Sequence, residues 1–284
     1  MARSRHESSQ SRMANMVSYS TTVCIPTNLK NIKYLPELIE SINNQTLLPQ
    51  EIIIVINGTS RSKDDLEEIL KDLRKKLKDK SNYRFIFSEI PGLSRARNVG
   101  IRECKSEIIL FGDDDDVWHP NKIEKIVNTI KKNGKCLVKH AHNELHLNVK
   151  KSVPAKYKLT PTLFLIGIGN LAGGGSSLSG SIEIFNTIRF NEKMQSCEDW
   201  YFCIRALLSN CKIINIQDEL VSYRDQPNRM TRNFSKMYRY ETYIRFKIAK
   251  EILFFTFGLL IGFLKSSIRF IFFDSYKSFI KTKR

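Results

Sequence analysis

Four consecutive carboxylates, Asp113, Asp114, Asp115 and Asp116, form the segment of this 284-residue sequence best suited to chemistry. They follow an apolar run at residues 107–111 and a single glycine. Adjacent carboxylates repel one another, which raises their pKa values and costs stability unless a cation compensates them. Mg²⁺ and Mn²⁺ prefer such hard oxygen ligands and commonly bridge one or two carboxylates to substrate phosphates. The run therefore predicts a divalent-cation site if it lies at a ligand-binding edge, and a solvated acidic turn otherwise.

The elements that position this run alternate between strand-like and helix-like segments over the first 135 residues. The strand-like runs lie at residues 21–25, 51–56, 84–88 and 107–111, with amphipathic helical spacing between them. This alternation predicts an α/β fold with an open, mostly parallel sheet and helices on both faces. Ligands of such sheets bind at the carboxyl ends of the strands, and the loops at Pro26, Asn57 and Asp113 all leave that edge. The position of the aspartates favours the cation site over the acidic turn.

The composition is that of a folded, basic protein. Hydrophobic residues make up 42% and charged residues 26%, which excludes a disordered or collagen-like chain. The net charge of +17 suggests an anionic partner such as a nucleic acid, an anionic lipid or a phosphorylated substrate. Six cysteines without a C-x-x-C pair indicate neither a zinc site nor a disulfide framework, and residues 1–18 contain no apolar signal-peptide core. We therefore expect a reducing, cytoplasmic environment.

Several short blocks occur along the chain in one order: IPT (25–27), SINNQTLLPQEIIIV (41–55), NGTS (57–60), GLSRARNVGI (92–101), FGDDDDVWHP (111–120) and CEDWYFCIR (197–205). This order and spacing resembles the family 2 glycosyltransferases, over about residues 20–225. The resemblance implies a GT-A fold, a nucleotide-sugar donor and a divalent cation, Mg²⁺ or Mn²⁺.

The resemblance also implies roles for individual residues. Asp113 and Asp115 match the two acids of the family's D-x-D signature and are the predicted metal ligands, with Asp115 in direct contact. Asp114 is a candidate for contact with the ribose, and Asp199 matches the general base. The predicted nucleotide-sugar-binding set is Pro26, Thr27, Asn57, Arg97, Asp113 and Asp114. Tyr223 and Arg224 lie where family members place basic residues near the diphosphate, although a solvated basic loop fits equally well.

Two departures from the family pattern concern the nucleotide pocket. The usual Asp-Asp-Gly-Ser after the second strand is replaced by a segment containing Asn57, whose amide offers both a C=O and an NH₂ to a pyrimidine edge. The usual Tyr-Asn after Thr27 is replaced by Asn28 and Leu29. Both departures affect the identity of the donor more than the type of reaction.

The implied chemistry is a single displacement. A cation held by Asp115 would stabilise the charge that grows on a diphosphate leaving group. Asp199 would take the proton of the acceptor hydroxyl on the opposite face of the sugar, which predicts inversion. Alternatively, Glu198 and Asp199 are acids in a first helical turn that complement the helix dipole, and the two interpretations are compatible.

The C-terminal residues 229–284 are predicted to be a basic, apolar helical tail. They contain thirteen Lys and Arg against three Asp and Glu, and residues 252–264 are uncharged. Thirteen helical residues reach about 20 Å, short of a hydrocarbon core of about 30 Å. We therefore expect the tail to lie in the interface of a membrane, with packing on the domain or on a second copy as the alternative. Truncation from about residue 248 should then leave a folded catalytic domain.

The predicted organisation is a disordered segment at 1–18, a catalytic domain at 19–228 and the tail. The domain divides into a nucleotide-binding half (19–135) and an acceptor-side half (136–228).

The predicted function is metal-dependent, inverting transfer of a sugar, favouring a UDP-sugar, to a glycan or lipid-linked acceptor in surface polysaccharide or lipooligosaccharide assembly. The expected location is the cytoplasmic face of a membrane, with no nucleic-acid partner. The alternatives are an α/β nucleotidyltransferase, which also uses carboxylate-bound Mg²⁺, and a non-enzymatic nucleic-acid-binding protein.

Overall fold

The computed structural model describes residues 19–58, 63–76, 82–145, 150–151, 174–224, 233–252 and 257–271. The predicted disordered segment 1–18 lies outside the described residues. Within them, the α/β prediction is confirmed: nine strands form one sheet in the order β3-β2-β1-β4-β8-β6-β9-β5, with β7 paired to β6.

The nucleotide-binding half has the predicted alternation of strands and helices. Its elements are β1 (Thr21–Thr27), α1 (Leu35–Asn43), β2 (Glu51–Asn57), α2 (Lys63–Lys76), β3 (Tyr83–Ser88), α3 (Leu93–Glu103) and β4 (Ile108–Phe111). All of the pairings among these four strands are parallel. Alternate residues of β1 and β2 belong to different apolar cores, with Cys24 and Ile53 on one face and Val23 and Ile52 on the other. Burial on both faces explains the continuous apolar runs of these strands.

The acceptor-side half is a mixed sheet rather than a parallel one. Its elements are β5 (Val117–Trp118), α4 (Lys122–Asn133), β6 (Leu137–Leu145), β7 (Lys150–Lys151), β8 (Leu178–Ser181), α5 (Ile182–Thr187), α6 (Glu198–Leu208) and β9 (Ile213–Arg224). Strand β8 is antiparallel to both β4 and β6, whereas β6 and β9 are parallel. Strand β9 runs continuously through the polar residues Gln217 and Asp218. The strand accommodates them at an irregularity of register opposite Ala141.

The C-terminal segment, predicted to be a tail, contains two helices, α7 (Phe234–Ile252) and α8 (Phe257–Ile271), and α7 packs on the core of the domain. Ile244 and Ile248 of α7 are fully buried and belong to the same core as Trp200. Arg245 lies over the Trp200 ring at 5.1 Å, and its Nε donates to Ser266 Oγ of α8 at 3.0 Å. Helix α7 therefore contributes to the core against α6, although it lies beyond the predicted domain boundary at residue 229. The apolar spacing of α7 is typical of a helix, but the sequence does not indicate that this helix covers α6.

The outer surface of the two C-terminal helices is apolar in places. Large apolar side chains are exposed there: Phe234, Tyr243, Phe246, Ile261, Phe263, Leu264 and Ile268. Among the described residues, neither α7 nor α8 nor any other helix combines the length and apolarity needed to cross a bilayer. The uncharged run at 252–264 lies partly outside the described residues.

Candidate active site

The alternating exposure of the aspartate run separates its four carboxylates into two pairs. Asp113 and Asp115 are half-buried, whereas Asp114 and Asp116 are buried. The backbone N–H of Asp113 donates to Ser176 Oγ at 2.6 Å, which fixes the start of the run against the turn before β8. Carboxylates at alternate positions on the open side are the disposition that a D-x-D cation site requires.

Asp114, one of the buried pair, is held by hydrogen bonds from the protein, whereas Asp116 Oδ2 is buried without a partner among the described residues. Thr27 Oγ1 donates to Asp114 Oδ2 at 2.6 Å, and Asn31 Nδ2 donates to Asp114 Oδ1 at 3.4 Å and to Asp115 Oδ2 at 3.3 Å. Burial raises the pKa of Asp114 despite the hydrogen bond from Thr27. Burial, together with the charge of Asp113, raises the pKa of Asp116 well above its ordinary value. Burial is the largest cause of both raised pKa values, and the neighbouring charge of Asp113 adds to it.

The half-exposed carboxylates fit a divalent cation that is completed by a ligand. Among the described residues, no three His, Cys, Asp or Glu side chains converge on one point, so these residues form no closed metal cage. Mg²⁺ ordinarily takes one or two carboxylates and fills its remaining positions with water and substrate phosphates. Asp113 and Asp115 are thus suitable as the protein ligands of such a cation.

Arg97 connects this run to the predicted base. Its side chain is 1% exposed, and it pairs through Nη2 with Asp113 Oδ1 at 3.1 Å and through Nη1 with Glu198 Oε1 at 2.7 Å. Burial lowers the pKa of Arg97, but the surrounding carboxylates outweigh that effect and raise it. Gly175 is necessary beside it, since a Cβ there would lie 1.9 Å from Arg97 Nη2. Its contacts make Arg97 a positioning residue between α3, the aspartate run and α6, whereas the sequence placed it on the nucleotide.

Asp199 is buried in the first turn of α6. Its Oδ1 accepts a hydrogen bond from the Trp200 backbone N–H at 2.8 Å. Burial and the neighbouring charge of Glu198 raise the pKa of Asp199 to about 6, against the opposing charges of Lys139 and Arg97. A carboxylate with a pKa near neutrality suits a general base. The position at a helix start also agrees with the dipole interpretation, which is compatible with the predicted role as general base.

Asn57 uses its amide on the protein itself. Its Oδ1 accepts from the Gly92 backbone N–H at 2.7 Å, and its Nδ2 donates to the Ile90 carbonyl at 2.9 Å. The two groups expected to meet a pyrimidine edge therefore hold the loop between β3 and α3. The neighbouring Gly58 adopts φ +60°, and a Cβ there would lie 2.3 Å from Pro91 Cβ. Pro26 pairs with Val55 inside the sheet, so Thr27 is the last residue of β1 at this edge.

Two buried lysines were missed by the sequence reasoning. Lys122 Nζ donates to the Ser176 carbonyl at 2.8 Å and lies 3.6 Å from the centre of the Trp118 ring. Lys139 Nζ donates to the Gly174 carbonyl at 3.1 Å. Burial lowers the pKa of Lys122 to about 7, and burial also lowers the pKa of Lys139. Both lysines hold the turn at residues 174–177 against the aspartate run. The only available signal was the position of Lys139 inside the apolar run of β6, whereas Lys122 lies among polar residues in the sequence.

Arg224, the last residue of β9, lies at the aspartate run. Its Nε donates to the Asp115 carbonyl at 3.2 Å, its guanidinium lies 4.2 Å from the centre of the Tyr34 ring, and it pairs with Glu37. These contacts place the guanidinium of Arg224 beside the predicted metal ligands.

The family model for glycosyl transferase family 2 matches residues 22–171, more than half of the chain. The chain belongs to this family. A glycosyltransferase of Methanocaldococcus jannaschii, uncharacterized, is 28% identical over 220 residues, covering 74% of this chain and 73% of that protein. The Escherichia coli UDP-Gal:alpha-D-GlcNAc-diphosphoundecaprenol beta-1,3-galactosyltransferase is 31% identical over 101 residues, 36% of this chain and 35% of that one. Family membership makes the protein a glycosyltransferase and leaves the two alternative functions without support.

Two solved structures share the fold. Staphylococcus aureus TarS, in complex with UDP-GlcNAc, superposes with a TM-score of 0.62 at 19% identity, covering 81% of this chain and 66% of that one. The Pyrobaculum calidifontis mannosyltransferase in complex with GDP-Man and Mn²⁺ has a TM-score of 0.59 at 12% identity, covering 93% and 76%. At these identities the likeness establishes the GT-A fold.

Proposed function

We propose that this glycosyltransferase transfers a sugar with inversion from a UDP-sugar to a glycan or lipid-linked acceptor, using Mg²⁺ or Mn²⁺. The observation that carries the proposal is the Arg97 bridge. It joins Asp113, on the side of the predicted cation, to Glu198, beside the predicted base Asp199. The buried guanidinium of Arg97 thus fixes the predicted metal ligand and the predicted base relative to each other, and a displacement at the anomeric carbon needs both groups.

The proposed metal ligands lie at the Asp113 end of the Arg97 bridge, and the proposed base lies at its Glu198 end. Asp113 and Asp115 would hold the cation, which when bound supplies Lewis-acid stabilisation of the departing diphosphate. Thr27 and Asn31 orient Asp114 toward the nucleotide side of the sheet edge. Asp199 takes the proton from the acceptor hydroxyl as that oxygen attacks the anomeric carbon opposite the leaving group, and this geometry inverts the configuration.

The nature of the donor and acceptor is supported by the relatives. TarS was solved with UDP-GlcNAc, and the E. coli relative is named for transfer from UDP-Gal to a sugar on diphosphoundecaprenol. A role in surface polysaccharide or lipooligosaccharide assembly is consistent with both.

We also propose that the protein binds peripherally at the cytoplasmic face of a membrane through α7 and α8. The support is the combination of exposed apolar side chains on these helices with the excess of ten positive charges in residues 229–284. Exposed apolar and basic side chains on one helical surface are typical of interfacial binding. Co-sedimentation of the full chain with vesicles containing anionic lipid should weaken with salt. A chain that stays in the supernatant at low salt would contradict the membrane proposal and leave the catalytic one unaffected.

The decisive test of the catalytic proposal is a screen of nucleotide sugars for hydrolysis and for protection against thermal unfolding, with Mn²⁺ or with a chelator. We expect one UDP-sugar to protect the protein and to be hydrolysed slowly, in both cases only with the cation. Protection that is the same in chelator would contradict metal dependence, and protection by a different nucleotide would contradict the choice of UDP.

A further inference from the structure

A groove of about 410 Å³ lies beside the segment that leads into the predicted base. It is lined by six polar or aromatic residues: Gln195, Asn233, Ser235, Lys236, Arg239 and Tyr240. Gln195 belongs to the segment before α6, and the others belong to the first turns of α7 or precede it. None of these residues comes from the strand edge where the nucleotide is expected, so the groove is separate from the donor side.

The groove is held next to Asp199 by direct contacts between α7 and α6. Cys197 Sγ lies 3.6 Å from the Met237 carbonyl, which it reaches as a donor, and Cys197 immediately precedes α6. Further along, Arg245 lies over the Trp200 ring, next to the base. The same helix therefore carries the groove and contacts residues on both sides of Asp199. A ligand bound in the groove would therefore lie near the predicted base, where the proposed function puts the acceptor.

The charge of the groove is positive and uncompensated. Lys236 and Arg239 are one turn apart, and neither is paired with a carboxylate among the described residues. Other cations of the catalytic unit, such as Arg97 and Arg224, are paired. The nearest acid on the helix, Glu241, pairs with Arg245 instead. Among the described residues that line the groove, none is acidic, and the neutral ones carry hydrogen-bonding groups. Two free cations with neutral polar groups suit a phosphate or diphosphate.

The same face of α7 becomes apolar beyond the groove. Lys236, Arg239, Tyr243 and Phe246 are spaced at intervals of three, four and three residues, which places them on one side of a helix. Tyr243 and Phe246 are 50% and 52% exposed. The buried residues Ile244, Arg245 and Ile248 occupy the other side. One helical face thus presents cations next to the base and exposed aromatic rings farther from it.

We infer that this face of α7 recognises an acceptor whose sugar is joined through a phosphate or diphosphate to a lipid. The anionic linkage lies in the groove on Lys236 and Arg239, and the start of the lipid lies along Tyr243 and Phe246, where the chain meets the membrane interface. The inference rests on the proposed function for the position of the acceptor. It goes beyond the proposed function in two ways: the acceptor is a phosphate-linked lipid and not a free glycan, and the residues that bind it are named.

The test uses the full chain and a binding assay without donor or turnover. Farnesyl diphosphate is the probe, with inorganic pyrophosphate and farnesol as the two partial ligands, all titrated calorimetrically in the presence of chelator. The variants are the double change Lys236→Gln with Arg239→Gln, and the double change Tyr243→Ser with Phe246→Ser. A matched control, Lys131→Gln with Lys132→Gln, removes two exposed charges from the end of α4.

We expect the full chain to bind farnesyl diphosphate more tightly than either partial ligand. Loss of the two groove cations should weaken binding of both farnesyl diphosphate and pyrophosphate by about tenfold or more, since hydrogen bonds to charged groups are worth about 1.5–3 kcal/mol each. Loss of the two aromatic rings should weaken farnesyl diphosphate and leave pyrophosphate unchanged. The Lys131/Lys132 control should bind like the parent chain.

Several results would overturn the inference. Equal affinity in the groove variant and the parent, an equal loss in the Lys131/Lys132 control, or no binding by the parent would each do so. Pyrophosphate binding as tight as farnesyl diphosphate would show a phosphate site without a lipid component. Because no donor is present, these outcomes leave the nucleotide-sugar screen to decide the proposed function separately.

Discussion

Replacing Arg97 with methionine tests the bridge on which the catalytic geometry depends. The substitution removes the charge and keeps an unbranched apolar side chain of moderate volume. It leaves Glu198, whose side chain is 6% exposed, without its cation. Asp113 is 36% exposed, so solvent already screens that second pair and it contributes little.

The expected cost follows from the burial of the first pair. Breaking a buried ion pair by removing one partner costs about 3–5 kcal/mol, because the remaining charge stays in an apolar environment. A matched control is available on the same helix. Arg95 pairs with Glu192 at 2.7 Å, but both side chains are about one-third exposed, at 34% and 32%. Arg95→Met should cost about 0–1 kcal/mol.

The assay is urea unfolding of Arg97→Met, Glu198→Gln and the double variant, followed by fluorescence and by far-ultraviolet circular dichroism. The double variant should be more stable than the sum of the single losses predicts, by up to about 3 kcal/mol, because it no longer buries an unpaired charge. The rate of transfer should fall in all three, since α6 loses its fixed position. A loss of less than about 1 kcal/mol in Arg97→Met, or strict additivity in the double variant, would refute the account of a buried bridge.

Three further outcomes are expected. Asp199→Asn should leave donor binding nearly intact by calorimetry and lower the rate of transfer by at least about 10²-fold, and a variant that retains turnover would show that another residue is the base. In the parent, kcat/KM should fall about tenfold per pH unit below pH about 6, because the carboxylate of Asp199 takes up a proton there. Asp115→Ala should lower UDP affinity to the value that the parent shows in chelator. Equal UDP affinity of the parent with the cation, the parent in chelator and the variant would contradict the predicted cation site. Ile244→Ala and Ile248→Ala should each cost about 2–5 kcal/mol in chemical unfolding, and truncation before α7 should abolish the cooperative transition; a truncated chain that still unfolds cooperatively would restore the separable tail.

The nucleotide-binding half was predictable because its signals are local. Continuous apolar runs and intervening amphipathic spacing specify strands buried on both faces, and the aspartates follow one such strand directly. The exposed positions of Asp113 and Asp115 could also be anticipated from the D-x-D pattern. These inferences need no knowledge of what packs on the segment from a distance.

The parts that were missed depend on distant partners. The burial of Lys122 and Lys139 is tolerated because carbonyls of the turn at 174–177 accept hydrogen bonds from them, and the sequence near either lysine does not predict that turn. The role of Arg97 depends in the same way on Glu198, about a hundred positions away. The C-terminal helices were interpreted from their charge and their uncharged run, whereas the residues that fix their place, Ile244 and Ile248, form an ordinary apolar stripe.

The place of β8 in the sheet affects how the chain is made. Strand β4 is hydrogen-bonded to β1 on one side and to β8 on the other, yet β8 is synthesised much later than β4. A growing chain that has completed β1 to β4 therefore leaves the ribosome with the outer edge of β4 unpaired, and that strand is apolar on both faces. Such an edge is a template for pairing with other nascent chains. The cell must shield it until residues 178–181 emerge, and the nucleotide-binding half expressed by itself is expected to aggregate.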